Sequence, residues 1–252
     1  MRFLRATCSI SMCNISRLIC LVALISSCYC AIPDYIHVCK SNDKKLAECI
    51  KNSVHSLKGV LATGIPELDV PPLEPLELDE IKLRSNGLSA NITQLKVWGA
   101  SNFEIKDLRA NIPKNRFAFI VTLPKLNFAG RYEIDAKFVI LNLLGEGPVS
   151  GNFTDYAFSA VLKGNRIQHD GQEFLKFDGM DLNITIGHSY IVLENLFNGN
   201  AALGKAANDA INDSNDILLN EIRPPLQRSL AAKFTDISNK ITLKFSTAEL
   251  FP

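Results

Sequence analysis

The sequence predicts an α+β protein in which a long C-terminal helix is wrapped by a strongly curved antiparallel β-sheet. Apolar residues alternate with polar ones from about residue 81 to 197, with turn-forming pairs between the runs. From 203 to 241 they recur every three or four residues instead. Because this second stretch is far longer than the mean helix of about 11–12 residues, only a curved sheet can cover its apolar side.

The first thirty residues have the features of a secretory signal peptide. Three arginines and no acidic residue precede an apolar run from Leu18 to Ile25, and small residues lead to a cleavage point near Cys30 or Ala31. The run is shorter than the roughly 20 residues that a membrane-spanning helix needs. We therefore expect a signal peptide at 1–30, a single domain at 31–252, secretion to the extracellular space and no stable membrane insertion.

Five of the seven cysteines lie in the predicted signal peptide, which leaves Cys39 and Cys49 in the mature chain. In an oxidising compartment these two are expected to form a disulfide. Ten residues of continuous helix would separate their α-carbons by about 15 Å, whereas bridged α-carbons lie within about 7 Å. Cys39 is therefore expected in an arm that folds back. Two free, buried thiols are the alternative.

The mature chain is expected to carry little net charge. The whole sequence has 27 basic and 26 acidic residues, and three of the basic ones leave with the signal peptide. This balance offers no basic surface for nucleic acid. Four segments fit the N-glycosylation acceptor pattern Asn-X-Ser/Thr, and at least one is expected to be used. Their asparagines are Asn91, Asn152, Asn183 and Asn212.

An amphipathic helix is predicted over residues 43–61, with Leu46, Ile50 and Val54 on its apolar face and Gly64 after its end. Prolines at 66, 71, 72 and 75 then require an extended connection. Antiparallel strands follow, of which GRYEIDAKFVI at 130–140 has the clearest alternation. Turns are predicted at Asn86-Gly87, Gly164-Asn165, Asp170-Gly171, Asp178-Gly179 and the glycine-rich segment 145–151.

The C-terminal helix is predicted to kink or break at Pro224-Pro225, because neither proline donates a backbone hydrogen bond. The segment ITLKFS, 241–246, predicts a closing strand. Acidic and amide residues between 208 and 216 predict a solvated helix face. A calcium loop is the less favoured interpretation, since it needs a glycine hinge and a terminal glutamate.

The sequence contains no recognisable catalytic or metal-binding pattern. The four histidines lack zinc-ligand spacing, and the hydrolase pattern G-x-S-x-G does not occur. We expect no metal, no cofactor and no enzymatic activity. Apolar residues are abundant instead. If the curved sheet is not filled by the helix, its interior is a dry cavity suited to apolar ligands, and a fully packed core is the alternative.

Five stretches occur in a specific order and spacing across nearly all of residues 38–252. They are CKSNDKKLAECI, GIPELDVPPLEPLELDEI, NFEIKDLRANIP, KLNFAGRYEIDAKFVI and the ending AELFP. In these stretches the chain resembles members of the insect takeout and juvenile-hormone-binding protein family. The paired cysteines of the family domain correspond to Cys39 and Cys49. Hormone-binding members tend to carry a second pair, which is missing here, so the resemblance favours a takeout-like member.

The resemblance implies a secreted, non-enzymatic carrier of the tubular lipid-binding class, with an elongated cavity for a small hydrophobic ligand. We expect a monomer. Family ligands are juvenile hormone, a sesquiterpenoid ester, or another apolar molecule such as a fatty-acid-like lipid. Takeout-like members are associated with circadian control, feeding and chemosensory tissues. The alternative is a secreted interaction protein that acts on a cell-surface receptor or a membrane, with a cavity that is merely structural.

The expected ligand-contacting residues come from the first helix and the strands. A lid at one end of the cavity is expected from Val54, Leu57 and Leu61. The cavity wall is expected to include Phe117, Phe119, Ile134, Phe138 and Phe158. The hydroxyl groups of Tyr132 and Tyr156 are candidates to meet an ester or epoxide oxygen of the ligand. Ordinary core tyrosines bonded to the backbone are the alternative for this pair.

Overall fold

The computed structural model describes residues 32–85, 88–138 and 141–252, without the side chains of 85, 88, 138 and 141. The predicted signal peptide and the predicted turn at Asn86-Gly87 lie outside the described residues. Five α-helices are described. They are α1 (Leu46–Ser56), α2 (Lys58–Thr63), α3 (Ala201–Asp213), α4 (Asn215–Thr242) and α5 (Thr247–Leu250).

Eight described strands form one antiparallel sheet, in the order β1-β3-β5-β6-β7, with β2 beside β3, β4 beside β5 and β8 beside β6. The strands are β1 (Leu76–Leu78), β2 (Ile81–Ser85), β3 (Leu88–Trp98), β4 (Glu104–Asn111), β5 (Arg116–Phe138), β6 (Leu141–His169), β7 (Gln172–Thr185) and β8 (His188–Leu193). With 23 and 29 residues, β5 and β6 are far longer than usual strands of about 3–10 residues. Such length, together with β-bulges, makes a sheet twist and bend.

The predicted fold class is confirmed: α4 packs along β7, β2 and β1, on the inner side of the curved sheet. The helix is long because its inward residues continue through Leu218, Leu226 and Leu230, all of which are buried. On its outer side, Asp236 and Lys240 form an ion pair. The sheet and α4 therefore share one apolar interior.

Several glycine-containing pairs do not form the predicted turns. Of the predicted turns that lie in the described ranges, Asp170-Gly171 alone forms one, whereas β6 runs through segment 145–151 and through Gly164, and β7 runs through Gly179. At Gly151 the neighbouring elements come so close that a β-carbon would collide with the Tyr190 carbonyl oxygen. These glycines permit close approach or a register shift, such as the one between Lys163 and Gly164, rather than chain reversal.

The helix boundaries also differ from the predictions. The first helix is divided in two at Leu57, and the C-terminal helix is divided at Ser214. The pair Pro224-Pro225 lies inside α4. The predicted closing strand ITLKFS is wrong: α4 continues to Thr242, and a capping box at Ser246 then starts α5. The apolar residues of this segment fit a helical spacing as well as a strand spacing, and Phe245 is fully buried.

Asparagine side chains of α3 pair with the free edge of β8 like a neighbouring strand. The Asn208 amide accepts a hydrogen bond from the Leu193 N–H at 2.8 Å and donates one to the Leu193 carbonyl at 2.9 Å. Asn212 does the same with Ile191, at 2.8 Å in both directions. The predicted solvated face is therefore wrong for these two residues. We call the pairs that Asn208 and Asn212 make with β8 the amide seam.

Candidate functional site

A cavity of about 660 Å³ runs between the sheet and α4. It is lined along β5 from Phe117 to Ile134, a strand path of roughly 55 Å at about 3.3 Å per residue. The wall consists almost entirely of apolar side chains from the strands, from α1 and from α4. The dry-cavity interpretation of the sequence therefore describes this interior better than a fully packed core.

Aromatic rings form the middle of the cavity wall. Ring centroids lie 6.3 Å apart for Phe119 and Phe158, and 6.4 Å apart for Phe158 and Phe234 of α4. The series continues from Phe158 to Tyr156 at 6.5 Å, and from Tyr156 to Phe153 at 6.4 Å. Rings at such separations pack edge-to-face or offset, and they present a broad, polarisable surface to whatever occupies the space. We call these five residues the aromatic belt.

The segment around Cys39 and the C-terminal residues meet at one end of the cavity. Phe251 stacks on Phe117 with centroids 6.1 Å apart, and both line the cavity. The Ser41 N–H donates to the carbonyl of the C-terminal Pro252 at 3.0 Å. Beside it, Cys39 and Cys49 are joined in a disulfide with α-carbons 6.0 Å apart, and Cys39 lies in an arm that folds back on α1. The segment around Cys39 and the C-terminal residues therefore support each other at this end.

Two buried tyrosines line the cavity, but their hydroxyl groups differ. The Tyr132 hydroxyl donates to the Glu194 carbonyl at 2.6 Å, and burial, with a smaller effect of the Glu194 charge, raises the pKa of Tyr132 to about 12. Burial alone raises the pKa of Tyr156 well above its ordinary value. Among the described residues, no side chain or backbone group forms a hydrogen bond with the Tyr156 hydroxyl. Within the described part of the chain, Tyr156 is thus a neutral donor without a partner.

The other hydroxyl groups on the wall already have acceptors. Ser53 of α1 donates to the His37 carbonyl at 2.6 Å. In α4, Ser238 donates to the Phe234 carbonyl at 2.8 Å, and Thr242 donates to the Ser238 carbonyl at 3.1 Å. The hydroxyl of Tyr156, midway along the aromatic belt, is the polar group best placed to meet a ligand.

His55 connects the first helix to the sheet. Its Nε2 accepts a hydrogen bond from the Ile105 N–H of β4 at 3.1 Å. Burial lowers the pKa of His55, and the Glu104 carboxylate, 3.8 Å away, opposes this effect. Since only the neutral imidazole can accept, α1 is held against β4 by an uncharged contact.

Seven of the ten predicted ligand-contacting residues line the cavity. They are Val54, Phe117, Phe119, Tyr132, Ile134, Tyr156 and Phe158. The lining does not include Leu57 and Leu61. The helix is interrupted at Leu57, and α2 leads to the proline-rich segment. There, the Leu61 carbonyl accepts a hydrogen bond from the Leu73 N–H at 3.0 Å. The side chain of Phe138 lies outside the described residues. Contact with a ligand remains a prediction for all ten.

Sequence reasoning missed several residues of the wall, including Ile50, Phe128, Phe153, Phe234 and Phe251. Strict alternation does not predict Phe153, because the backbone is irregular at Asp155, which has φ 52°. Two residues, instead of one, therefore separate the inward-facing Phe153 and Tyr156. Phe234 could have been found from its helical spacing with Leu230. For Phe251 the terminal sequence carried no periodicity.

One described cluster has three side chains of metal-ligand type, namely His37, Cys39 and Cys49. Both sulfur atoms form the disulfide, so they are not available as thiolate ligands. Within the described ranges, no helix is both long enough and apolar enough to cross a membrane.

The family model described as haemolymph juvenile hormone binding protein (JHBP) matches residues 18–252. The chain belongs to this family. Among relatives of the JHBP chain, the circadian clock-controlled protein daywake of Drosophila melanogaster is 21% identical over 231 residues, which cover 87% of this chain and 88% of daywake. Daywake of Drosophila yakuba is 20% identical over the same shares of the two chains.

A solved structure shares the JHBP fold described here. The crystal structure of Epiphyas postvittana Takeout 1 superposes with a TM-score of 0.76 at 19% sequence identity, and the match covers 85% of this chain and 98% of that one. At this identity the likeness concerns the fold. It supports the predicted architecture of a long helix inside a curved sheet.

Proposed function

We propose that this JHBP-family chain is a secreted carrier that binds a small, elongated hydrophobic ligand in its internal cavity. The ligand class we propose is a terpenoid ester such as juvenile hormone, or a fatty-acid-like lipid. The observation that carries the proposal is an apolar cavity of about 660 Å³ that contains one tyrosine hydroxyl with no hydrogen-bond partner among the residues that the structure describes. This volume falls in the range of about 300–1,000 Å³ that is usual for small-molecule sites.

Burial of apolar surface would supply most of the binding free energy. A ligand that buries about 300 Å² of apolar surface gains about 7–8 kcal/mol at 25 cal/mol per Å². The loss of translational and rotational freedom on association is subtracted from this gain. Shape and dryness of the cavity would therefore determine affinity, and the aromatic belt would favour flat, unsaturated chains over saturated ones.

The Tyr156 hydroxyl would set the position of the ligand's polar group. Its raised pKa keeps it protonated at physiological pH, so it can donate to a carbonyl, carboxylate or epoxide oxygen. A carbonyl without a donor in this apolar interior would cost about 1–3 kcal/mol. Ligands with one acceptor near the middle of the chain, or with an end that reaches the belt, would therefore be preferred.

Export and physiological context belong to the same proposal. The features of residues 1–30 and the family's haemolymph description support secretion. The description of the daywake relatives as circadian clock-controlled supports a rhythmic role. A link of this role to feeding or chemosensory physiology is the further part of the proposal. Rhythmic transcript levels over a light–dark cycle are the expected observation.

The test is native mass spectrometry of the protein secreted from insect cells, followed by solvent extraction. A stoichiometric mass excess, beyond any glycan mass, that disappears on extraction would support the carrier and reveal the ligand class. The extracted protein should take up a sesquiterpenoid methyl ester or a long-chain fatty acid. A protein that stays empty with both, but still acts on cell-surface receptors, would instead support the interaction protein.

A further inference from the structure

Four asparagines in the chain fit the N-glycosylation acceptor pattern, and their side chains have different environments. Glycosylation joins the Nδ2 atom to the anomeric carbon of an oligosaccharide, and the anomeric C–O bond of a lipid-linked diphosphate donor breaks. The amide loses one proton, and the lipid diphosphate is the leaving group. The folded protein must then tolerate a bulky sugar on Nδ2 and one N–H donor fewer.

Asn212 cannot meet these two requirements in the folded protein. Its Nδ2 donates to the Ile191 carbonyl at 2.8 Å and to the Asn208 carbonyl at 2.9 Å, so both protons are in use. Its Oδ1 accepts from the Ile191 N–H. A sugar on this nitrogen would lie between α3 and β8, where the amide seam joins them.

Asn91 is constrained by its neighbours as well. Its Nδ2 donates to the Glu80 carboxylate at 2.6 Å, and its Oδ1 is buried without a partner among the described residues. Asn91 would have to leave this position to carry a sugar.

Asn152 lies in a different environment, on the outer face of the sheet. Phe153 next to it lines the cavity, so Asn152 points outward. The register of four neighbouring strands places it in one row with Trp98, Asn127 and Tyr190. Side chains directly opposite in such a row have β-carbons about 4.5–5.5 Å apart. The ring of Tyr190 is therefore within reach of the first sugar on Asn152.

The two aromatic residues of this row are unusually exposed. Tyr190 is 54% exposed and Trp98 is 38% exposed, although both belong to the regular sheet. An aromatic ring offers an apolar face that the C–H groups of a sugar can cover. No described hydrogen bond engages the Asn152 side chain, in contrast to Asn91 and Asn212.

We propose that Asn152 carries an N-linked glycan whose first sugar packs on the Tyr190 ring, and that Asn212 remains unmodified in the folded protein. The inference rests on the proposed export of the chain but not on the ligand. Asn183 supplies the comparison, because it is exposed on β7 opposite Ser159 and has no aromatic residue across from it.

The experiment begins with glycopeptide mapping of the full chain secreted from insect cells. We expect sugar on the peptide that contains Asn152 and none on the peptide that contains Asn212. Thr154→Ala and Asn152→Gln should each remove the same glycan mass, and Ser214→Ala, which destroys the acceptor pattern but keeps the Asn212 amide, should remove none. An unoccupied Asn152 or an occupied Asn212 would overturn the proposal.

The packing on Tyr190 is tested by a double-mutant cycle of thermal stability. Tyr190→Ala should lower Tm by about 2–4 °C in the glycosylated protein, the shift that about 1 kcal/mol gives in a domain of this size, and by much less in the Asn152→Gln background. Asn183→Gln, as the matched control, should leave the effect of Tyr190→Ala unchanged. Equal shifts in all backgrounds would refute the contact. Ligand content is measured in the same samples, so an empty cavity beside an occupied Asn152 would count against the carrier function alone.

Discussion

Replacing Tyr156 with phenylalanine should weaken the binding of ligands that have an oxygen acceptor and leave hydrocarbon binding almost unchanged. In the structure, the Tyr156 hydroxyl has no partner among the described residues, so its loss creates no unpaired protein group. The ligand's carbonyl, in contrast, would be left in an apolar cavity without a donor, at a cost of about 1–3 kcal/mol. The dissociation constant of a sesquiterpenoid methyl ester should therefore rise by about 5- to 150-fold.

Tyr132→Phe is the matched control, because it removes the same atom from the same cavity. The Tyr132 hydroxyl is occupied by the Glu194 carbonyl at 2.6 Å, so its removal should lower the unfolding free energy by about 1 kcal/mol and change ligand affinity little. Isothermal titration calorimetry on extracted protein, with the ester and a hydrocarbon of equal length, measures both effects. Equal affinity losses in the two variants, or a Tyr156→Phe protein that binds the ester as the wild type does, would refute the assigned role.

Three further outcomes are expected. Phe158→Asp places a charge in the aromatic belt and should abolish ligand uptake, whereas Ile120→Asp on the exposed face of β5 should not; circular dichroism checks that both fold. Asn212→Ala should lower the free energy of unfolding in urea by about 2–4 kcal/mol, because it leaves the N–H and C=O groups of the buried strand residue Ile191 without hydrogen-bond partners. The control Asp213→Ala should lower it by under about 0.5 kcal/mol. His55, whose pKa is lowered by burial, stabilises the fold fully above its unfolded pKa of about 6.5, and this contribution is lost as pH falls below that value. Urea titrations should show a lower free energy of unfolding at pH 5 than at pH 7.5 in the wild type, and no such loss in His55→Gln. The same pH dependence in both proteins would contradict this role of His55.

Periodicity predicted the fold because the solvent-facing and cavity-facing sides of each element differ over many residues. The alternation at Tyr132 and Ile134 marks two side chains that do line the cavity. It could not show where the elements end, because Gly164 and Gly179 are common in turns and are equally suited to close strand approach. Likewise, Pro224 fits inside α4, a result that depends on tertiary packing rather than local preference.

The limits of prediction at the site have a similar cause. A single residue with a left-handed backbone, Asp155, displaces the inward face by one position and brings Phe153 into the belt. The division of roles between Tyr132 and Tyr156 depends on one distant carbonyl, that of Glu194, which no local pattern reveals. One backbone conformation decides the first case, and a contact between residues far apart in sequence decides the second.

The amide seam also bears on resistance to aggregation. A strand edge with free N–H and C=O groups is a template for another chain, and covering it prevents edge-to-edge aggregation. Four helical residues advance about 6.0 Å and two strand residues about 6.6–6.8 Å, so a helix can imitate a strand only over a short distance. The seam indeed stops after two residues: beyond the break at Ser214, Asn215 of α4 donates only one described hydrogen bond, to the Ser189 carbonyl at 3.4 Å, against 2.8 Å for Asn212. An edge much longer than β8, with its six residues, could not be protected in this way.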